Sequence, residues 1–174
     1  MEIRRLVEDD WDRLRHVRLR ALADAPYAFG STLDRERDRT EEEWREWADR
    51  GRHGRGASFA AVGHDSRFVG LVAGFEDDEE GEPGSVHLVA MWVDPAHRRG
   101  GLGAALVAAV VDWARDRGAP EVHLWVTDGN RAARALYLRE GFVPTGIRQP
   151  LPSNPAVAEE MLRRGLREDR ASGR

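Results

Sequence analysis

The sequence predicts an α/β fold built from one mixed β-sheet and about four helices. Three observations support this. Short apolar runs bounded by turn residues have the length of strands, four segments carry helical spacing or helix caps, and strands alternate with helices along the chain. Neither an internal repeat nor a linker interrupts the 174 residues, so we expect a single domain over residues 1–166. Residues 167–174 are polar and are predicted to form a disordered tail.

The first half of the chain contains two predicted helices and four predicted strands. Asp9 or Asp10 can cap the first helix, in which apolar residues recur at helical spacing from Trp11 onward. Thr40 and Glu43 form a capping box for a second helix. The strands are predicted at residues 1–7, 58–63, 68–74 and 85–93.

The second half contains the other two helices and three further strands. A helix rich in alanine is predicted over residues 101–118, and Asn130 caps another that ends near Glu140. A strand at 121–127 lies between these two helices. The last two strands are predicted at 142–149 and 158–166, separated by the loop PLPSNP.

The composition excludes several classes of chemistry. All 27 basic residues are arginine, so neither Schiff-base chemistry nor a lysine-dependent phosphate loop is available. The absence of cysteine excludes thiolate nucleophiles and disulfides. The net charge of −4 argues against nucleic acid as a partner. No apolar run is long enough to span a bilayer, so we expect a cytoplasmic protein without membrane contact.

The loop HRRGGLGAAL at 97–106 is the strongest functional signal. It joins an apolar strand to a helix, and a helix N-terminus offers unpaired N–H groups together with a partial positive charge. Glycines allow an anion to approach the backbone closely, and the side chains of Arg98 and Arg99 are expected to add charged donors. This pattern predicts a site for a pyrophosphate group carried on a larger molecule.

Three known kinds of loop could give rise to this pattern. A Walker loop requires a Gly-Lys pair that the chain lacks. A dinucleotide fingerprint requires a third glycine, but Leu106 stands at that position after Gly101 and Gly103. A glycine-rich turn with solvated arginines is the structural alternative.

The flanking residues resemble the core of the Gcn5-related N-acetyltransferases, the GNAT superfamily. Its acyl-CoA motif, R/Q-x-x-G-x-G/A, falls on Arg98, Gly101 and Gly103, and the close resemblance covers residues 85–147. A later family segment matches at Asn130, Ala133, Tyr137, Gly141 and Phe142. The resemblance implies the GNAT acyl-CoA N-acyltransferase fold, with a mostly antiparallel central sheet, and an acetyl-CoA-dependent N-acetyltransferase.

The resemblance also implies where the cofactor would bind. The backbone of Met91, Trp92 and Val93 would pair with the pantetheine arm of acetyl-CoA. Asn130 would serve as helix cap alone, or also as a contact to the cofactor near Ala133. The amides of the loop would bind the pyrophosphate, a set that comprises Arg98, Arg99, Gly100, Gly101, Leu102, Gly103 and Ala104.

Two residues are candidates for proton transfer when an amine attacks the thioester directly. Tyr137 stands where the family places a tyrosine that protonates the departing thiolate, although a core aromatic is the alternative. His87 stands where some members carry a catalytic glutamate, and strict strand alternation would place it on the same face as Met91 and Val93. A sheet histidine, with a water chain as base, is the alternative for His87.

The acceptor amine is left open by the sequence. Trp44, Trp47, Tyr27 and Phe29 lie in the region that forms the acceptor wall in the family, but they also suit a core. The acidic stretch 76–84 is either a solvated loop or a segment that attracts a cationic acceptor.

No i, i+4 histidine pair occurs, so no metal is expected. Three alternatives stay open. The chain could be a noncatalytic acyl-CoA-binding or regulatory domain, the transferred acyl group could be longer than acetyl, and the protein could form a homodimer.

Overall fold

Seven strands form one sheet in the computed structural model, which describes residues 1–51 and 54–167. The strand order is β1-β2-β3-β4-β5-β7-β6, with every neighbouring pair antiparallel except the parallel pair β4–β5. This confirms the mixed, mostly antiparallel sheet. The strands are β1 Glu2–Arg5, β2 Gly56–Val62, β3 Phe68–Asp77, β4 Ser85–Val93, β5 Glu121–Thr127, β6 Val143–Leu151 and β7 Asn154–Gly165.

Within the described residues the chain also forms five helices, together with three short 3₁₀ turns at Glu8–Asp10, Pro26–Ala28 and Pro95–His97. Four of the five correspond to the predicted helices, and the fifth, α2, is a short one that the sequence analysis did not predict. The helices are α1 Trp11–Asp24, α2 Leu33–Arg37, α3 Glu41–Ala48, α4 Leu102–Asp116 and α5 Arg131–Arg139.

Helix caps account for several of these boundaries. The Thr40 hydroxyl accepts the N–H of Glu43, and the Glu43 carboxylate accepts the N–H of Thr40 at 2.7 Å. The predicted capping box therefore starts α3. Thr32 accepts the N–H of Arg35 and starts α2 in the same way.

Two hydrophobic clusters lie on opposite faces of the sheet. The first joins α4 and α5 to the sheet and includes Leu106, Val110 and Tyr137. The second joins α1 and α3 to the other face and includes Leu14, Trp44 and Trp92. Because successive strand residues point to opposite faces, the alternation along β4 and β5 decides which side chains face which helix layer.

Strand β4 contains a β-bulge that changes this alternation. Leu71 pairs with Trp92 and Ala73 pairs with Val89, so two residues of β4, Ala90 and Met91, stand opposite one residue of β3. Ala90 has φ of 57°, a left-handed conformation that L-residues seldom adopt outside such irregularities. Side chains before and after the bulge therefore follow different alternations.

Strands β4 and β5 pair over only two positions. Val86 pairs with Val122 and His87 with His123, after which no further pair joins the two strands. The edge of β4 beyond His87 is thus open toward β5, and the sheet splits at this point.

Several boundaries differ from the prediction; β3, for example, continues three residues further, to Asp77. Strands β6 and β7 extend to Leu151 and from Asn154, so only Pro152 and Ser153 remain of the predicted six-residue loop. The predicted tail lies outside the described residues except for Arg167, whose guanidinium is 3.2 Å from the Glu82 carboxylate.

No helix within the described ranges is long and apolar enough to cross a membrane.

Candidate active site

The loop before α4 presents a row of unpaired backbone N–H groups. The first helical hydrogen bond runs from the N–H of Ala105 to the carbonyl of Gly101, and the N–H groups of residues 99–104 donate to no described residue. Arg99 and Gly101 have φ of 68° and 81°. No atom lies within 4 Å of the position that a Cβ would take at Gly100 or Gly101. The loop therefore leaves its amides and the space above them accessible to an anion.

Arg98 does not extend into this space. Its Nε donates to the carbonyl of Val93 at 2.9 Å, and its Nη2 donates to the Asp24 carboxylate at 2.5 Å. The same Asp24 carboxylate accepts the indole N–H of Trp92. The guanidinium thus links the loop to β4 and α1, and its expected role as a donor to the anion stays a prediction. Both arginines of the loop are exposed, but Arg99 makes no hydrogen bond or ion pair to a described residue.

Gly103 lies where α4, α5 and β4 meet. A Cβ at this position would be 3.1 Å from Leu136 Cδ2 and 3.4 Å from Met91 Cε. A Cβ here would require Leu136 to shift by a few tenths of an ångström, and any larger side chain would displace Leu136 or Met91, so a small residue is needed for this approach. The packing places the first turn of α4 next to the open edge of β4.

Asn130 is a helix cap, as predicted. Its Oδ1 accepts the N–H of Ala133 at 3.2 Å and so starts α5. Ala133 and Leu136 pack against the first cluster, and Tyr137 belongs to it. This face of α5 therefore turns toward the sheet near its split.

Tyr137 is 6% exposed, and its ring packs edge-on against Phe142 with centroids 5.8 Å apart. Its hydroxyl makes no hydrogen bond to any described residue. Burial raises the pKa of Tyr137 above its usual value, so the phenol stays protonated at neutral pH. The position suits a proton donor that has no partner inside the protein.

His87 lies on the other face of the sheet. Val86 and Leu88 belong to the first cluster, so His87 between them points away from it, toward Phe75 and His123. The expected alignment with Met91 and Val93 is wrong, because the bulge places those two on the α4 face. Burial, and then the nearby His123, lower the pKa of His87 to about 4, so the imidazole is neutral at pH 7.

Buried charged side chains pack against the aromatic residues that were predicted to form the acceptor wall. Glu36 is 2% exposed, accepts the Nε of Arg39 at 2.6 Å and lies 3.3 Å from Nη2 of Arg18. The Arg18 guanidinium stands 4.7 Å from the Phe29 ring centroid. Trp44 and Trp47 stack beneath Arg39 with centroids 5.4 Å apart, which makes both tryptophans core residues. Tyr27, by contrast, is exposed.

The sequence analysis missed several residues of this site. Asp24 gave no signal because its partners Trp92 and Arg98 are distant along the chain. His123 gave no signal either, because its contacts with the acidic stretch come from strand pairing. Only the register of β3, β4 and β5 reveals such neighbours.

Comparison with known families identifies the type of fold. A family described as "Acetyltransferase (GNAT) family" matches residues 12–142. N-acetyltransferase 8 of Homo sapiens is 37% identical over 93 residues, 53% of this chain and 41% of that protein. Mycothiol acetyltransferase of Thermobifida fusca is 37% identical over 145 residues, 78% of this chain and 40% of that protein. The chain thus spans less than half the length of these relatives.

Solved structures share the architecture across nearly the whole chain. An acetyltransferase of the GNAT family from Streptococcus pneumoniae has a TM-score of 0.79 at 19% identity, covering 95% of this chain and 99% of its own. The yncA protein of Salmonella typhimurium, solved with its cofactor acetyl-CoA, has a TM-score of 0.76 at 19% identity, covering 99% and 98%.

Proposed function

Because this chain belongs to the acetyltransferase (GNAT) family, we propose that it transfers the acetyl group of acetyl-CoA to an amine acceptor. The observation that carries the proposal is the loop 99–104, whose amides donate to no described residue and whose Gly100 and Gly101 have no atom within 4 Å of the Cβ position. These amides, with the guanidinium of Arg99, would bind the pyrophosphate of the cofactor. Similarity to a structure that contains acetyl-CoA supports the same choice of cofactor.

The split between β4 and β5 would receive the pantetheine arm. The edge of β4 beyond His87 pairs with no part of β5, so the backbone groups that residues 91–93 direct to this edge can pair with a strand-like ligand, except for the Val93 carbonyl, which already accepts from Nε of Arg98. Gly103 and Met91 bring the loop next to this edge, so that one extended molecule can contact both. The side chain of Trp92 points to the opposite face, and only its backbone would take part.

The proposed reaction is a direct attack of the amine nitrogen on the thioester carbon. The C–N bond forms as the C–S bond breaks. An acceptor that binds as an ammonium first loses one proton to solvent, which frees its lone pair; the second proton leaves the nitrogen for His87, directly or through water, and Tyr137 protonates the departing thiolate. His87 and Tyr137 lie on opposite faces of the sheet, so in this proposal the base and the acid would approach the thioester from different faces. This route needs no acyl-enzyme intermediate on a thiol, which a chain without cysteine could not form.

The acceptor would lie on the His87 face, between the acidic residues after β3 and the loop after α1. Asp77, Glu80 and the buried Glu159 give this face a negative charge, which favours a cationic amine. Burial, with the nearby charge of Glu80, raises the pKa of Glu159, although Gln149 opposes the shift through a hydrogen bond.

Release of free CoA thiol from acetyl-CoA tests this function. We expect turnover with at least one member of a panel of amino acids, peptides, polyamines and aminoglycosides, together with the acceptor of mycothiol acetyltransferase, suggested by the relative from Thermobifida fusca. Binding of acetyl-CoA without turnover on any acceptor would instead support a noncatalytic acyl-CoA-binding domain.

A further inference from the structure

Four side chains with metal-binding atoms converge beside the point where the sheet splits. Asp77 ends β3, Glu80 follows it in the acidic loop, and His87 and His123 are paired across β4 and β5. One carboxylate oxygen or ring nitrogen from each residue lies within 4.8 Å of all the others. The residues come from three strands and a loop, so their spacing in sequence gives no sign of the cluster.

The central member of this cluster lacks a hydrogen-bond partner. His123 is 0% exposed, and neither of its ring nitrogens makes a hydrogen bond. Its Nε2 points into the cluster, 3.5 Å from Oδ2 of Asp77 and 3.7 Å from Oε2 of Glu80. Buried polar atoms are rarely left without a partner, and Nε2 of His123 is surrounded by carboxylate oxygens that are slightly too far away for a hydrogen bond.

The two carboxylates are held with one oxygen facing the histidines. Oδ1 of Asp77 accepts the backbone N–H groups of Glu79 and Glu80 at 2.9 and 3.4 Å, which leaves Oδ2 free. That Oδ2 is also 3.7 Å from Nδ1 of His87. Glu80 is fixed by the indole N–H of Trp125, at 2.8 Å from its Oε2. Such outer hydrogen bonds are typical of the residues that orient metal ligands.

We propose that Asp77, Glu80, His87 and His123 form a binding site for one Zn²⁺ ion. Ligands about 2.0–2.2 Å from a tetrahedral zinc stand about 3.3–3.6 Å from one another. The three N–O separations of 3.5, 3.7 and 3.7 Å are close to that spacing. Two imidazoles with two carboxylates favour zinc over Mg²⁺ or Ca²⁺, which prefer oxygen ligands alone.

A bound ion has two consequences for the chain. It links the acidic loop to β4 and β5 at the split of the sheet. It also takes the lone pair of His87, so zinc and the proton of the acceptor amine compete for the same ring. Zinc is therefore an inhibitor of the proposed reaction.

Titration of tag-free, chelator-treated protein with zinc chloride tests the site. We expect one equivalent of Zn²⁺ to bind and to raise the melting temperature. Glu80→Gln and His87→Gln each should weaken zinc affinity by about 10–100-fold or more, judged by calorimetry and by elemental analysis after desalting. Mg²⁺ and Ca²⁺ at the same concentrations should not compete.

His16→Gln is the matched control, because His16 also lies beside a carboxylate, 3.4 Å from Asp12, but on the exposed surface of α1. It should bind zinc as the wild type does. Absence of a one-to-one zinc complex, or equal affinity in the wild type and both cluster variants, would overturn the proposal. Glu80 is partly exposed, so Glu80→Gln should fold even if His87→Gln does not. Binding is measured without acetyl-CoA, so failure here is separate from failure of the proposed function.

Discussion

Tyr137→Phe is expected to lower kcat for acetyl transfer by about 100- to 10,000-fold while acetyl-CoA binds as tightly as before. The change removes only a hydroxyl that makes no hydrogen bond to a described residue, and the remaining ring can keep its packing against Phe142. Loss of activity would then report loss of the proton for the thiolate. Steady-state thiol release, with acetyl-CoA affinity measured by calorimetry, separates the two effects.

Tyr27→Phe provides the matched control, because it makes the same chemical change at the other tyrosine of the chain, which is 57% exposed. Because Tyr27 lies in the loop after α1, where the acceptor would bind, any effect of this change should fall on KM for the acceptor, while kcat stays within about twofold of the wild type if only Tyr137 donates the proton. A Tyr137→Phe variant with wild-type kcat would exclude the role of this hydroxyl as general acid.

Glu36→Gln is expected to destabilise the fold by about 3 kcal/mol or more. The substitution keeps the size of the side chain but removes the charge that faces Arg18, whose side chain is only 7% exposed. A buried guanidinium without a counter-charge is costly, since burial lowers the pKa of Arg18 and Glu36 opposes that shift. Urea denaturation at pH 7 measures the free energy of unfolding.

Asp34→Asn on the same helix is the control, because its side chain is 92% exposed and its pair with Arg37 lies at the surface. The change should cost no more than about 0.5 kcal/mol. Equal unfolding free energies for Glu36→Gln and Asp34→Asn would show that the buried pair contributes no net stability.

The effect of Glu36→Gln should also depend on pH. Burial by itself raises the pKa of Glu36, but the charges of Arg18 and Arg39 outweigh it and hold the pKa below the usual 4.5. A lowered folded-state pKa gives stability that is complete above the unfolded value and is lost as pH falls through the folded value. The difference in unfolding free energy between the wild type and Glu36→Gln should therefore be largest at pH 7 and should decrease below about pH 4.5.

Local signals in the sequence predicted most of the elements. The capping box at Thr40 and the Asn130 cap are local hydrogen bonds, so residue type and spacing suffice to locate them. The glycines before α4 are equally local, because the turn requires a left-handed residue at Gly101. The short helix α2 was missed, since its stability comes from the buried contacts of Glu36 rather than from periodicity.

Long-range contacts account for the rest. The bulge at Ala90 arises where β4 departs from the register of β3, and it reversed the side predicted for His87. Arg98 was expected to face an anion, and its bond to Asp24, 74 positions earlier in the chain, was not predicted. The Asp77 and His123 cluster likewise depends on which strands are neighbours. Strand order and register are set by packing across the whole sheet, and no local pattern encodes them.

The central claim is that the amides of residues 99–104 bind the pyrophosphate of CoA. Calorimetry with dephospho-CoA, which keeps the pyrophosphate, and with pantetheine, which lacks the pyrophosphate and the adenosine, tests this claim, with adenosine alone as the control for the contribution of the nucleoside. Two charge-assisted hydrogen bonds at about 1.5 kcal/mol each correspond to about 100-fold in affinity, so dephospho-CoA should bind at least about 100-fold more tightly than pantetheine. Equal affinity for the two compounds, or NAD⁺ binding as tightly as dephospho-CoA, would contradict the account.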